Sequence, residues 1–128
     1  MTLNVEAILF DMGGTLRGTR KRSREERLFY TGKILKLLGS DEDPAIFARR
    51  LARRETAYRK WARETLIELN EPELWTRWLL PDWPEDVIAK HAVKLNLLWR
   101  DATGERILFP ETADVIIELF RRGYRLKA

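Results

Sequence analysis

The 128-residue chain contains no cysteine, so no disulfide staples its fold and no thiolate serves as nucleophile or metal ligand. It has a single histidine, His91, without a second ligand at metal-binding spacing, which argues against an imidazole-based metal centre. No apolar run approaches the roughly 20 residues that a membrane helix needs, so no span is expected and the membrane is excluded as a partner. The first residues, MTLNVEAILF, lack a basic stretch and a small-residue cleavage pattern, and the expected location is therefore cytoplasmic. What is present is a composition 45% hydrophobic and 34% charged, that of one ordinary globular unit. The net charge of +4 would suit an anionic partner. The excess is modest and carried mostly by arginine, so by itself it does not choose between a phosphorylated small molecule, nucleic acid and a plainly solvated basic surface.

The elements follow from local signals. Asn4 to Phe10 ends in the continuous apolar run Ala7, Ile8, Leu9, Phe10, the pattern of a strand buried on both faces in a parallel sheet. After Leu16 comes the basic passage RGTRKRSREE, read as a charged linker. Ser23 and Glu26 have capping-box spacing, and a helix from about Ser23 to Leu38 should stop at Gly39. Asp43 and Pro44 open a second helix, expected to reach about Leu69, with Phe47, Leu51, Tyr58, Ala62, Leu66 and Leu69 on its apolar side. Glu55 and Glu64 are interspersed among its arginines, which predicts surface ion pairs. Asn70 and Glu73 cap a short helix, and Pro84 begins another that Gly104 ends. Beyond it, ILFPETADVIIELFRRGYRLKA promises a helix from Pro110 through Phe120, a stop at Gly123 and a strand starting at Tyr124. The five tryptophans sit among leucines and are expected in a helical core, not on a base-stacking surface.

Strand, four helices, helix, strand is the order of an α/β unit with an all-helical insertion. Asp11 then stands where such sheets place their ligand sites, just beyond the carboxyl end of the first strand. Gly13 and Gly14 let the backbone turn sharply and approach a bound group, and exposed amides in such a turn can hold an oxyanion. A carboxylate beside such amides is suited to attack on phosphorus, with a divalent cation offsetting the repulsion between anions.

The whole pattern, four apolar residues followed by DxGGTL at Asp11 to Leu16, resembles motif I of the haloacid dehalogenase-like (HAD) hydrolase superfamily. The helical insertion resembles that family's cap, and LFPETADVIIELFRRGYRL its return from cap to core. The resemblance implies an α/β fold: an incomplete Rossmannoid core, residues 1–18 and 108–128, with an inserted helical cap, residues 19–107. It implies Mg²⁺-dependent phosphoryl transfer or phosphatase chemistry on a small phosphorylated substrate. Asp11 would be the nucleophile and a Mg²⁺ ligand, and the Gly13 carbonyl a second ligand. Amides around Met12 and Gly13 would touch the phosphoryl group, Gly14 and Thr15 would complete the binding loop, and Arg17 beside it would draw in the anion. Arg20, Lys21, Arg22 and Arg24 could add to that attraction.

The chain departs from the family pattern at two places. Family phosphatases usually carry a second aspartate two residues after the nucleophile, as general acid; here that residue is Gly13. The residue that dehalogenating members use there is missing as well. The family's later motifs, a phosphate-binding Ser or Thr, a lysine and an acidic pair, would follow the strand at Tyr124, beyond Ala128. The expectation is an N-terminal portion of a longer enzyme, inactive or nearly so by itself, with an unpaired sheet edge open to self-association. The competing expectation is a non-catalytic basic helical protein that binds nucleic acid or another protein.

Overall fold

The computed structural model describes residues 4–128, a mixed α/β chain in which helix predominates. It divides into two compact units. One is formed by residues up to Lys21 together with Gly104–Ala128, the other by Arg22–Thr103.

Among the described residues the first unit holds four short strands and one helix. Strand β1 (Ala7–Leu9) pairs in parallel with β4 (Arg125–Lys127), placing Ile8 opposite Leu126. Flanking backbone bonds from Arg125 N to the Glu6 carbonyl and from Phe10 N to the Lys127 carbonyl extend that pairing at both ends. Strand β2 (Arg17–Arg20) pairs antiparallel with β3 (Glu105–Leu108), and helix α5 (Thr112–Arg121) precedes β4. Gly123, with φ +89°, turns the chain from α5 into β4, a conformation that a Cβ would strain.

Two expectations change here. The first strand is not buried on both faces: Ala7 and Leu9 are exposed and Ile8 is half-buried, because a two-stranded sheet has no second layer over that face. The passage RGTR is not a linker but strand β2, held in register by a partner almost ninety positions away. Arg20 Nε donates to Glu105 Oε2 over 2.6 Å across that ladder. Gly104, buried just before β3, lies so close to β2 that a Cβ there would clash with Thr19 Cγ2.

The second unit is all helix. Helix α1 (Arg24–Leu38) starts where the Ser23 hydroxyl accepts from Glu26 N at 3.1 Å and stops at Gly39, φ +67°. Helix α2 (Pro44–Thr65) starts where Asp43 Oδ1 accepts from Ile46 N at 3.0 Å. It ends four residues before the expected Leu69. Leu66 takes the left-handed conformation, φ 58°, and the Tyr58 hydroxyl accepts from Leu69 N at 3.0 Å, folding the chain back on the helix. Leu66, expected on the apolar face, is therefore 90% exposed. Asn70 caps helix α3 (Glu71–Leu74), a wide π turn follows over Trp75–Leu79, and α4 (Glu85–Thr103) closes the unit.

The core lies between these helices. Ile34 and Leu35 of α1 meet Phe47 and Leu51 of α2, Trp75 and Leu79 of the π turn, and Ile88, Leu95 and Trp99 of α4. Two of the five tryptophans, Trp75 and Trp99, are buried there, and their indole N–H groups are satisfied by Asn96 Oδ1 at 3.3 Å and Glu55 Oε2 at 3.0 Å. Trp61 and Trp78 pack with Tyr58 in a tilted aromatic cluster at the end of α2.

Arg54 joins α2 to the turn before α4. Its Nη1 donates to the Leu79 carbonyl at 2.7 Å and to Asp82 Oδ1 at 2.9 Å. Burial pulls the Asp82 carboxyl upward. The hydrogen bond from Arg54, that from the residue's own backbone and the charges of Arg54 and Arg50 pull it further down, so its pKa lies below the usual carboxylate value. A lowered folded-state pKa stabilises fully above the unfolded value of about 3.9, and that contribution is lost as pH falls through the folded value. Urea unfolding should accordingly show a stability loss below about pH 4 that Asp82→Asn reduces. An identical acid slope in the parent and the variant would contradict this assignment.

Candidate functional site

Asp11 is the first residue beyond the last backbone bond of the parallel β1 and β4 pair, which Phe10 N makes to the Lys127 carbonyl at 2.8 Å. It stands past the carboxyl end of the strand, where parallel sheets present their ligands. The side chain is exposed. Its Oδ2 accepts from the Thr15 hydroxyl at 3.3 Å, a contact that orients the carboxylate and leaves Oδ1 without a bonded partner among the described residues.

The loop behind Asp11 is closed by its own backbone. The Met12 carbonyl accepts from Leu16 N at 3.0 Å and Arg17 N at 3.2 Å, with a longer approach from Thr15 N at 3.4 Å. Gly14 N donates in return to the Arg17 carbonyl at 2.8 Å. Gly14 has φ +77°, which is why glycine suits this position; Gly13 has no such constraint and nothing lies within 4 Å of a Cβ built on it.

The amides of the loop thus fall into two groups. Those of Gly14, Leu16 and Arg17 are committed to holding its shape. Those of Met12 and Gly13, the two residues that follow Asp11 in the chain, donate to no acceptor among the described residues. Successive uncommitted amides can hold an anion where a turn points them to the same side. The Gly13 carbonyl likewise accepts no backbone bond among the described residues.

One residue that sequence reasoning missed ties this loop down. The Leu16 carbonyl accepts from the Thr112 hydroxyl at 2.6 Å and from Phe109 N at 3.1 Å. Thr112 is the one buried residue of α5. A threonine two places after a proline at a helix start is the only local hint of it in the sequence, and it says nothing of the partner. Thr112→Val should cost about 0.5–1.5 kcal/mol, the usual net worth of one hydrogen bond, and should quicken hydrogen exchange at the Gly14, Leu16 and Arg17 amides. Unchanged exchange at those amides would remove Thr112 from the support of the loop.

The basic residues around the motif are not equivalent. Arg20 is paired with Glu105, and Arg22 donates to the Asp101 carbonyl at 2.9 Å and pairs with Glu26 at 3.2 Å. Arg17 is half-buried in β2 beside the loop and has no carboxylate partner among the described residues. Arg24 belongs to the helical unit. Of the five cations near the motif in sequence, Arg17 is the one whose backbone belongs to the Asp11 loop.

Magnesium takes hard oxygen ligands, keeps several waters, and is commonly held by only one or two carboxylates. The Asp11 carboxylate and the unbonded Gly13 carbonyl are donors of that type. No cluster of three or more His, Asp or Glu side chains able to hold a metal occurs among the described residues. No described helix is long and apolar enough to cross a membrane. Comparison with protein-family models, with curated proteins and with solved structures gave no match.

Proposed function

We propose that the protein is a HAD-like hydrolase that accepts a phosphoryl group on Asp11. The observation that carries this reading is the pairing of an exposed carboxylate at the carboxyl end of a parallel strand with the two uncommitted amides of Met12 and Gly13. In this reading the amides hold the phosphoryl oxygens, Thr15 orients the nucleophile, and Arg17 adds positive charge beside the loop. An Asp11 oxygen attacks phosphorus, the bond from phosphorus to the leaving oxygen breaks, and the leaving group departs with the electron pair. Mg²⁺ held by Asp11 and the Gly13 carbonyl would offset the repulsion between the two anions. The helical unit is the cap in this scheme and selects the substrate, a small phosphorylated molecule.

Gly13 supplies no proton to the leaving group, so the favoured donors are those that need none. Acetyl phosphate, whose leaving group is an acetate ion, is the appropriate probe. In the presence of Mg²⁺ it should transfer its phosphoryl group to Asp11, up to one group per chain without turnover, and Asp11→Asn should abolish that transfer. Equal phosphoryl incorporation into the parent and the variant would overturn the proposal.

A further inference from the structure

Ion pairing accounts for only part of the arginine on the helical unit. Arg50 is bound through both terminal nitrogens to Glu42 at 2.8 and 3.0 Å, Arg54 to Asp82 at 2.9 Å, and Arg59 to Glu55 at 2.8 Å. Arg24, Arg27, Arg49 and Arg53 have no carboxylate partner among the described residues. The first three border one cleft of about 490 Å³ between α1, α2 and the end of α4. Arg53 borders an adjoining hollow that shares Arg49 and Ala52 with it.

The cleft exists because the facing residues are small. Ala45, Ala48 and Ala52 on α2 and Ala102 on α4 leave room that larger side chains would fill, and its wall includes Leu28 and the indole of Trp99. Glu55 is the one carboxylate that lines it, and its charge is already matched: Oε1 accepts from Arg59 at 2.8 Å and Oε2 from the Trp99 indole N–H at 3.0 Å. Helix stability does not call for the arginines either. Arg24 and Arg27 lie in the opening turns of α1, where the helix dipole favours acidic residues, and the first turn of α2 holds no acidic residue at all. Three unpaired guanidinium groups around an apolar hollow of ligand-binding size make a site for an oxyanion attached to a flat apolar body.

We infer that this cleft binds an amphiphilic organic anion, with its phosphate or carboxylate on Arg24, Arg27 and Arg49 and its apolar body against Trp99 and the alanines. The size favours a small molecule over a nucleic-acid backbone, which needs an extended track of charge. The site lies wholly within Arg22–Thr103 and stands independently of the chemistry assigned to Asp11.

Calorimetric titration of the full chain with naphthyl phosphate, naphthoate, inorganic phosphate and naphthol tests this. At least one of the two naphthyl anions should bind saturably, with phosphate and naphthol each at least about tenfold weaker because each lacks half of the ligand. A preference between the two anions assigns the head group as phosphate or carboxylate and upholds the inference either way. The double substitution Arg27→Gln with Arg49→Gln, both at exposed positions, should weaken binding by roughly a hundredfold, and Ala48→Phe should block it. Asp11→Asn should leave it unchanged, which separates a failure here from a failure of the phosphoryl-transfer proposal. No saturable binding, or binding that the double substitution leaves intact, would overturn the inference. Salt-sensitive oligonucleotide binding that the arginine pair supports and Ala48→Phe leaves untouched would do so as well.

Discussion

Gly13→Asp is expected to raise phosphoryl transfer from an alkyl phosphate to Asp11 by about 10²- to 10⁴-fold, the usual worth of a positioned general acid. The same change should leave transfer from acetyl phosphate nearly unaffected. The contrast follows from the leaving groups. An alkoxide departs only with a proton, whereas acetate departs as a stable anion. The position can accept the side chain, since nothing lies within 4 Å of a Cβ at Gly13 and its backbone is not in the left-handed region. The rates are read as phosphate release or acyl-phosphate formation with the two donors in parallel. Equal acceleration of both, or of neither, would mean that the missing acid is not what limits this site.

The second large effect concerns stability. Leu95→Ala should lower the unfolding free energy of the helical unit by about 2–5 kcal/mol, because Leu95 is fully buried among Ile34, Trp75 and Ile88 in a core that would keep the cavity. Phe120→Ser should change stability by no more than about 0.5 kcal/mol, since Phe120 on α5 is 72% exposed. All the buried hydrophobic residues among those described lie in Arg22–Thr103. Cooperative unfolding followed by helical circular dichroism is therefore a property of that unit. Comparable losses from the two substitutions in urea titrations would contradict this division of the core.

The signals that were legible in the sequence were the local ones. Ser23 with Glu26, Asp43 with Pro44 and Asn70 with Glu73 each announce a helix start within four residues, and each makes the expected side-chain cap. Strands β2 and β3 were hidden because RGTR and ERIL have no apolar alternation, and the ladder joins residues far apart in the chain. The end of α2 was overrun because apolar spacing continues through Leu66 and Leu69, while the Tyr58 hydroxyl that draws the chain back is a tertiary contact.

The site shows the same divide. Asp11 could be read from its place after an apolar run and before two glycines. That Gly14 turns the loop and that the Met12 and Gly13 amides stay uncommitted could be read only from the backbone bonds. The hold of Thr112 on Leu16 spans 96 positions and has no sequence signature. The arginines of α2 looked like ordinary surface pairing; Arg50, Arg54 and Arg59 are indeed paired, and Arg49 and Arg53 stand apart only once the helices are packed.

The claim that Asp11 is a nucleophile is tested most directly by locating the phosphoryl group. The full chain, incubated with acetyl phosphate and Mg²⁺, is treated with borohydride to reduce any acyl phosphate and is then mapped by peptide mass spectrometry. The account predicts reduction at Asp11 alone, and none in the protein left without acetyl phosphate. Reduction at another carboxylate, or none at Asp11 while acetyl phosphate is consumed, would contradict it.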